Sequence, residues 1–172
     1  QHQEARPSLL DEAAFVDRFG GVFEHSPWIA RRVFASELSP AHDSATGLHA
    51  ALSAAFRMAS EEERLGVLNA HPDLAGKLAQ AKRLTESSTQ EQASAGLDAL
   101  TDDERSEFTA LNTNYIKRFG FPFIIAVRGL DKQAILKAFT ARLENDRQTE
   151  FTSACHEVEK IALLRLRDML PD

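Results

Sequence analysis

Cysteine is almost missing from this chain: Cys155 is the single one among 172 residues. A disulfide within the chain needs two, so none can form, and a zinc centre built on cysteines is excluded with it. Glycine (8) and proline (6) are also sparse. They are scattered rather than clustered, so no low-complexity linker divides the chain, and no internal repeat is visible. No apolar run approaches the roughly 18–20 residues that a bilayer-crossing helix requires. The N-terminal "QHQEARPSLLDEAAF" lacks the apolar centre of a secretory signal, and the closing "RDMLPD" is not a peroxisomal address of the Ser-Lys-Leu type. A cytoplasmic protein with no membrane partner is the expectation, for a chain that begins at Gln1 rather than Met. Positive charge is in deficit: 20 Lys and Arg face 26 Asp and Glu, a formal net charge of −6. That argues against nucleic acid as the partner, while one or two local cations still suffice for a small anion. There is no H-x-x-x-H or H-E-x-x-H pair, which argues against a metal site on one helix, and no G-x-S-x-G or P-loop.

What the chain does have is a succession of helix starts, each followed by apolar residues at a period near 3.6. Hydrophobic residues make up 43% and charged residues 27%, the balance of a globular domain. Ser8 precedes a stretch with Phe15 and Phe19 four apart. Ser26-Pro27 opens a second helix with Ile29 and Val33 on one face, and Asp43 or Ser44 a third with Leu48, Leu52, Ala55 and Phe56. Ser60 with Glu63, Ser88 with Glu91 and Thr101 with Glu104 each read as a capping box. The last of these opens a long helix with Phe108, Leu111, Tyr115 and Phe119 inward and Gly120 as its stop. Pro72 is expected to begin a helix through "PDLAGKLAQAK". Asp131 opens the penultimate helix, and Thr149 opens the final one, running to about Leu170. The expectation is an all-α single compact domain over residues 1–172, with roughly eight or nine helices.

One segment departs from that pattern. "GFPFIIAVRG", 120–129, is apolar and β-branched, and no second strand exists to pair with it. An extended, buried connection is expected. Its backbone N–H groups then need partners, or face a ligand.

Three polar residues stand out. His71, in "NAHPDLAGK", is expected at the N-terminus of the helix that Pro72 begins, where the positive end of the dipole disfavours an imidazolium. It is either a general base held neutral or an ordinary partly buried histidine. Glu91 is either the capping partner of Ser88 or a carboxylate positioned for chemistry by a rigid helix end. Arg165 falls on the inward stripe of Val158, Ile161 and Met169. It is either bound to an anion or spread along the surface with its head in water. His2, His25, His42, His49 and His156 have no comparable setting.

At this point a family comes into view. "FGGVFEHSPWIA" (19–30), "LNAHPDLAGK" (68–77), "SSTQEQASAGLD" (87–98), "LNTNYIKRFGFPFIIAVRG" (111–129) and "EKIALLRLRDML" (159–170) occur in order along nearly the whole chain. Together they resemble 2-oxo-4-hydroxy-4-carboxy-5-ureidoimidazoline (OHCU) decarboxylase, the last enzyme of the route from uric acid to (S)-allantoin. The resemblance implies an all-helical homodimer that uses neither cofactor nor metal, with OHCU as substrate and (S)-allantoin as product. It implies His71 and Glu91 as the catalytic pair. Pro72, Ser88, Gln92, the backbone of Phe123, Ile124 and Ile125, and Arg165 are then the substrate-binding positions. Two other readings stand beside it: a related ureide-processing enzyme acting on another heterocycle, and a non-catalytic helical interaction module.

Overall fold

The computed structural model describes residues 6–76, 79 and 82–172. Among these, the regular structure is helical and no strand occurs. The helices are α1 (Glu12–Phe19), α2 (Trp28–Ala35), α3 (Ala45–Met58), α4 (Glu61–Ala70), α5 (Glu86–Ser94), α6 (Asp102–Phe119), α7 (Lys132–Arg142) and α8 (Arg147–Arg167). Short 3₁₀ turns lie at Pro7–Leu9, Gly20–Val22 and Pro40–Asp43. The all-α expectation holds.

Most helices begin where local chemistry puts them. The Ser44 hydroxyl accepts from the Gly47 N–H at the start of α3. Ser60 and Glu63 exchange side-chain and backbone bonds at 3.0 and 3.2 Å before α4. Thr101 and Glu104 do the same before α6, and Asp131 caps α7. Gly120 closes α6 at φ +84°, a left-handed conformation that costs glycine least.

Other starts differ. α1 begins at Glu12, capped by Asp11 rather than Ser8. Ser8 instead binds the Asp43 carboxylate through both its N–H and its hydroxyl, at 2.8 and 2.7 Å. α8 begins two residues before Thr149, because Asp146 accepts from the Thr149 N–H at 2.8 Å, and it ends at Arg167 rather than near Leu170.

The chain gathers into two compact units. One runs through Ala70 and includes Val158–Asp172; the other is His71–Glu157. In the first, Phe15, Phe19, Ile29, Leu48, Leu52, Phe56 and Leu68 are buried with Val158, Ala162 and Leu166 of α8. α3 is tied to α8 by His49 Nε2 against the Glu159 carbonyl at 2.8 Å. The Arg57 guanidinium also grips the Glu159 carboxylate there.

Gly47, in the first turn of α3, is required by packing rather than by conformation. A Cβ there would stand 1.9 Å from the Ala41 carbonyl oxygen. Alanine is the better helix former by about 1 kcal/mol, but a clash with backbone outweighs that. Gly47→Ala is expected to lower the melting temperature by about 5 °C, from an overpacking cost of about 1–3 kcal/mol. Thermal unfolding followed by circular dichroism measures it.

The second unit is built around aromatic rings. Tyr115 meets Phe119, Phe121, Phe123 and Phe139 at centroid distances of 4.6 to 6.0 Å. Phe123 and Phe139 stack at 3.9 Å. Beside these rings lies Glu150, which is 0% exposed. Its carboxylate accepts from Tyr115 Oη at 2.5 Å, Arg142 Nε at 2.8 Å and Asn145 Nδ2 at 2.8 Å. A buried carboxylate is tolerated only when satisfied in this way. Burial, followed by the adjacent Glu150, pushes the Tyr115 hydroxyl well above its usual range, so it stays protonated as a donor.

Candidate active site

His71 is buried, 7% exposed, and its setting is not the expected one. Residues 71–76 form a non-helical turn, with Ala75 at φ +52°. The helix expected from Pro72 therefore does not start there. Its later positions Lys77, Leu78, Gln80 and Ala81 lie outside the described residues. The reason is competition for backbone groups. The Ala75 N–H donates to Gln92 Oε1 at 2.9 Å, and Gln92 Nε2 donates to the Asp73 carbonyl at 3.2 Å. Asn112 Nδ2 donates to the Leu74 carbonyl at 2.9 Å. Side chains from α5 and α6 thus occupy groups that a helix would have used.

This corrects the electrostatic argument as well. The helix end next to His71 in the chain is the C-terminus of α4, at Ala70. The dipole there is negative, so it supplies no reason for a neutral imidazole. Asp73, two residues on, lies among protein atoms, and burial pushes its carboxyl above the usual range.

The Ser88–Glu91 capping box does not form either. Thr85 caps α5 by accepting from the Ser88 N–H, which places Ser88 inside the first turn. Glu91 is therefore not a capping partner of Ser88. Ser88, Glu91 and Gln92 stand at i, i+3 and i+4 and share one face of α5. Ser88 and Gln92 are buried and Glu91 is half-buried. Gln92, expected as a substrate-binding residue, uses both its amide oxygen and its amide nitrogen on the turn that follows His71.

The 120–129 segment, expected as an extended connection, lies outside every helix. Residues 122–127 have no regular secondary structure, and Phe121, Phe123, Ile124, Ala126 and Val127 are buried. Among the described residues, none accepts a hydrogen bond from the N–H of Phe123, Ile124 or Ile125. The Ala126 N–H donates to Glu157 Oε1 at 2.8 Å, and the Ile124 carbonyl accepts from Arg142 Nη1 at 2.6 Å.

His71, Pro72, Ser88, Glu91, Gln92 and Phe123–Ile125 all belong to the unit His71–Glu157. Gln92 joins the His71 turn to α5. Asn112 joins it to α6, the helix that leads through Gly120 into the extended segment. Arg165 belongs to the other unit. It is 6% exposed, so its head does not reach water. Nη1 donates to Glu24 Oε1 at 2.9 Å and to the Gly21 carbonyl at 3.2 Å. Glu24 is itself 2% exposed, which makes this a buried ion pair.

Comparison with known proteins decides the family. The family model described as OHCU decarboxylase matches residues 8–167. An OHCU decarboxylase of Haloferax volcanii is 42% identical over 159 residues, covering 92% of this chain and 90% of the relative. The chain belongs to the OHCU decarboxylase family. The uric acid degradation bifunctional protein PucL of Bacillus subtilis is 40% identical over 163 residues, 95% of this chain. This chain spans 32% of that longer protein. A crystal structure of (S)-allantoin synthase superposes with a TM-score of 0.77 at 30% identity, covering 99% of this chain and 54% of that one.

Four residues of this OHCU decarboxylase family member that bond a candidate residue or the backbone beside one were not visible in its sequence in that role. They are Glu24, Asn112, Arg142 and Glu157. Each is polar, and none sits in a motif with its partner. Glu24 and Asn112 do lie inside the stretches that carry the family resemblance. A polar residue on the buried side of a helical stripe is the one available signal, and Asn112 fits it, four residues after Phe108 and three before Tyr115.

Proposed function

We propose that this chain decarboxylates OHCU to (S)-allantoin, the closing step of uric acid degradation. The observation that carries the reading is the family match across residues 8–167. The bonds from Gln92, on the helix that bears Ser88 and Glu91, to the turn that follows His71 support it.

The chemistry asks little beyond positioning. OHCU carries its carboxylate on a ring carbon that also bears a hydroxyl, next to a C=N bond. When the bond to CO2 breaks, its electron pair forms a C=C bond with the neighbouring ring carbon. The imine pair moves onto nitrogen, which takes up a proton. The resulting enol then loses its hydroxyl proton and gains one on the ureido-bearing carbon, on one face, giving the S centre. The substrate supplies its own electron sink.

In this reading His71 and Glu91 handle the hydroxyl proton and orient the ring. Arg165 binds a carbonyl or anionic oxygen through charge-assisted hydrogen bonds. The N–H groups of Phe123, Ile124 and Ile125 donate to ring oxygens, in the manner of preorganised backbone donors. Pro72, Ser88 and Gln92 complete the binding positions. A homodimer in the cytoplasm belongs to the same proposal, and light scattering of the purified chain tests the assembly.

The function is tested by generating OHCU in place from urate with uricase and the hydrolase that follows it. Circular dichroism then reports optically active allantoin. Rapid formation of the S enantiomer with the chain, against slow racemic product without it, is the expected result. Equal rates and no optical activity in both would overturn the proposal.

A further inference from the structure

We infer that Arg142 and Glu157 are positioning residues that aim the Ile125 N–H at the substrate, by clamping the two peptide planes on either side of that residue. The inference rests on the proposed function for the identity of the ligand. It rests on geometry for the clamp.

Among the described residues no peptide bond is cis. In a planar trans peptide, the carbonyl and the following N–H point in opposite directions. Arg142 Nη1 holds the Ile124 carbonyl at 2.6 Å, so the N–H of Ile125, in the same plane, points away from Arg142. Glu157 Oε1 holds the Ala126 N–H at 2.8 Å, which turns the Ile125 carbonyl away from Glu157. Two side chains, from α7 and α8, therefore set consecutive planes. Ile125 N–H is left directed, and no described residue accepts from it.

The clamp is stiff because Arg142 cannot swing. Its Nε is bonded to Glu150, whose carboxylate is held in turn by Tyr115 and Asn145. Its guanidinium lies over the Phe123 ring, 4.5 Å from the centroid. Holding this position leaves Arg142 Nη2 buried with no hydrogen-bond partner. Such an orphan is costly and is normally avoided. Arg142 keeps it while spending Nη1 on one carbonyl of an extended segment, which is what a demand on the orientation of that segment produces.

The test compares Glu157→Gln, Glu157→Ala and Arg142→Lys with the wild-type chain, using OHCU generated in place and (S)-allantoin as a binding probe. Glutamine retains an oxygen acceptor for the Ala126 N–H and is expected to keep KM within about twofold. Glu157→Ala removes the acceptor. Arg142→Lys removes the planar fork that spans Ile124 and Glu150. Each is expected to raise KM by about tenfold, the equivalent of one well-formed hydrogen bond, with a smaller change in kcat. In the wild type, the Ile125 amide resonance is expected to shift on addition of (S)-allantoin, and the shift to weaken in Glu157→Ala and Arg142→Lys. A residue with a merely structural role would change the melting temperature and leave both KM and the amide shift in place. That result in folded variants would overturn the inference. Equal impairment of Glu157→Gln and Glu157→Ala would overturn it for Glu157. If the wild type does not turn over OHCU, the proposed function fails separately. The amide titration then decides the clamp, and an unmoved Ile125 resonance sinks it.

Discussion

Replacing His71 by alanine is expected to lower kcat for OHCU by about 10²–10⁴-fold, the usual contribution of a positioned general acid or base. The imidazole is buried, so it is not an incidental surface group. It sits in a turn whose shape is imposed from outside, by Gln92 on α5 and Asn112 on α6. A rigid support of this kind is what a catalytic side chain requires. Because the turn is held through the backbone of residues 73–75, removing the His71 side chain leaves those bonds intact. The far-ultraviolet circular dichroism of His71→Ala should therefore match the wild type. The loss should appear in single-turnover kinetics and in the enantiomeric excess of the product, since an unassisted enol is protonated on both faces. A folded His71→Ala protein forming enantiopure (S)-allantoin at the wild-type rate would remove His71 from the mechanism.

Glu150→Ala is expected to be the most damaging substitution for stability. Glu150 is wholly buried and satisfies three donors: the Arg142 guanidinium, the Tyr115 hydroxyl and the Asn145 amide. Removing the acceptor leaves a buried cation and two neutral donors without it. Breaking one side of a buried pair costs about 3–5 kcal/mol, which for a chain of this size corresponds to a fall in melting temperature of about 10 °C. Glu150→Gln keeps an oxygen acceptor but loses the charge, so a smaller fall is expected. Differential scanning calorimetry of the two variants separates the acceptor role from the charge. A Glu150→Ala protein as stable as the wild type would mean that Arg142 finds another partner in the folded chain.

Much of the helical framework can be read along the chain because it rests on bonds between near neighbours. Thr101 with Glu104, Ser60 with Glu63, and Asp131 before α7 act within one turn. Where reading fails locally, two candidates compete at short range. Thr85 takes the cap of α5 and leaves Ser88 inside the helix, and Asp146 starts α8 ahead of Thr149.

The candidate site is less legible, and its residues show why. His71, Glu91 and Arg165 can each be singled out from the sequence, but with a bland alternative beside each. For Glu91 the structure removes the capping role with Ser88. For Arg165 it removes the solvent-exposed one and supplies Glu24, 141 residues away, as a buried partner. For His71 it replaces an expected helix start by a turn, through Gln92 and Asn112, which are 17 and 38 residues from the backbone groups they bind.

The helical class, the caps that act within a turn, the break in helix after Gly120 and the family can all be read along the chain. These depend on side-chain chemistry at fixed short spacing, or on long matched stretches. The form of the 71–76 turn, the burial of Arg165 against Glu24, and the bonds of Arg142 and Glu157 to Ile124 and Ala126 came from packing in three dimensions. Those outcomes depend on which distant polar groups reach a backbone atom first. A hydrogen bond between residues far apart in the chain leaves no periodicity to read.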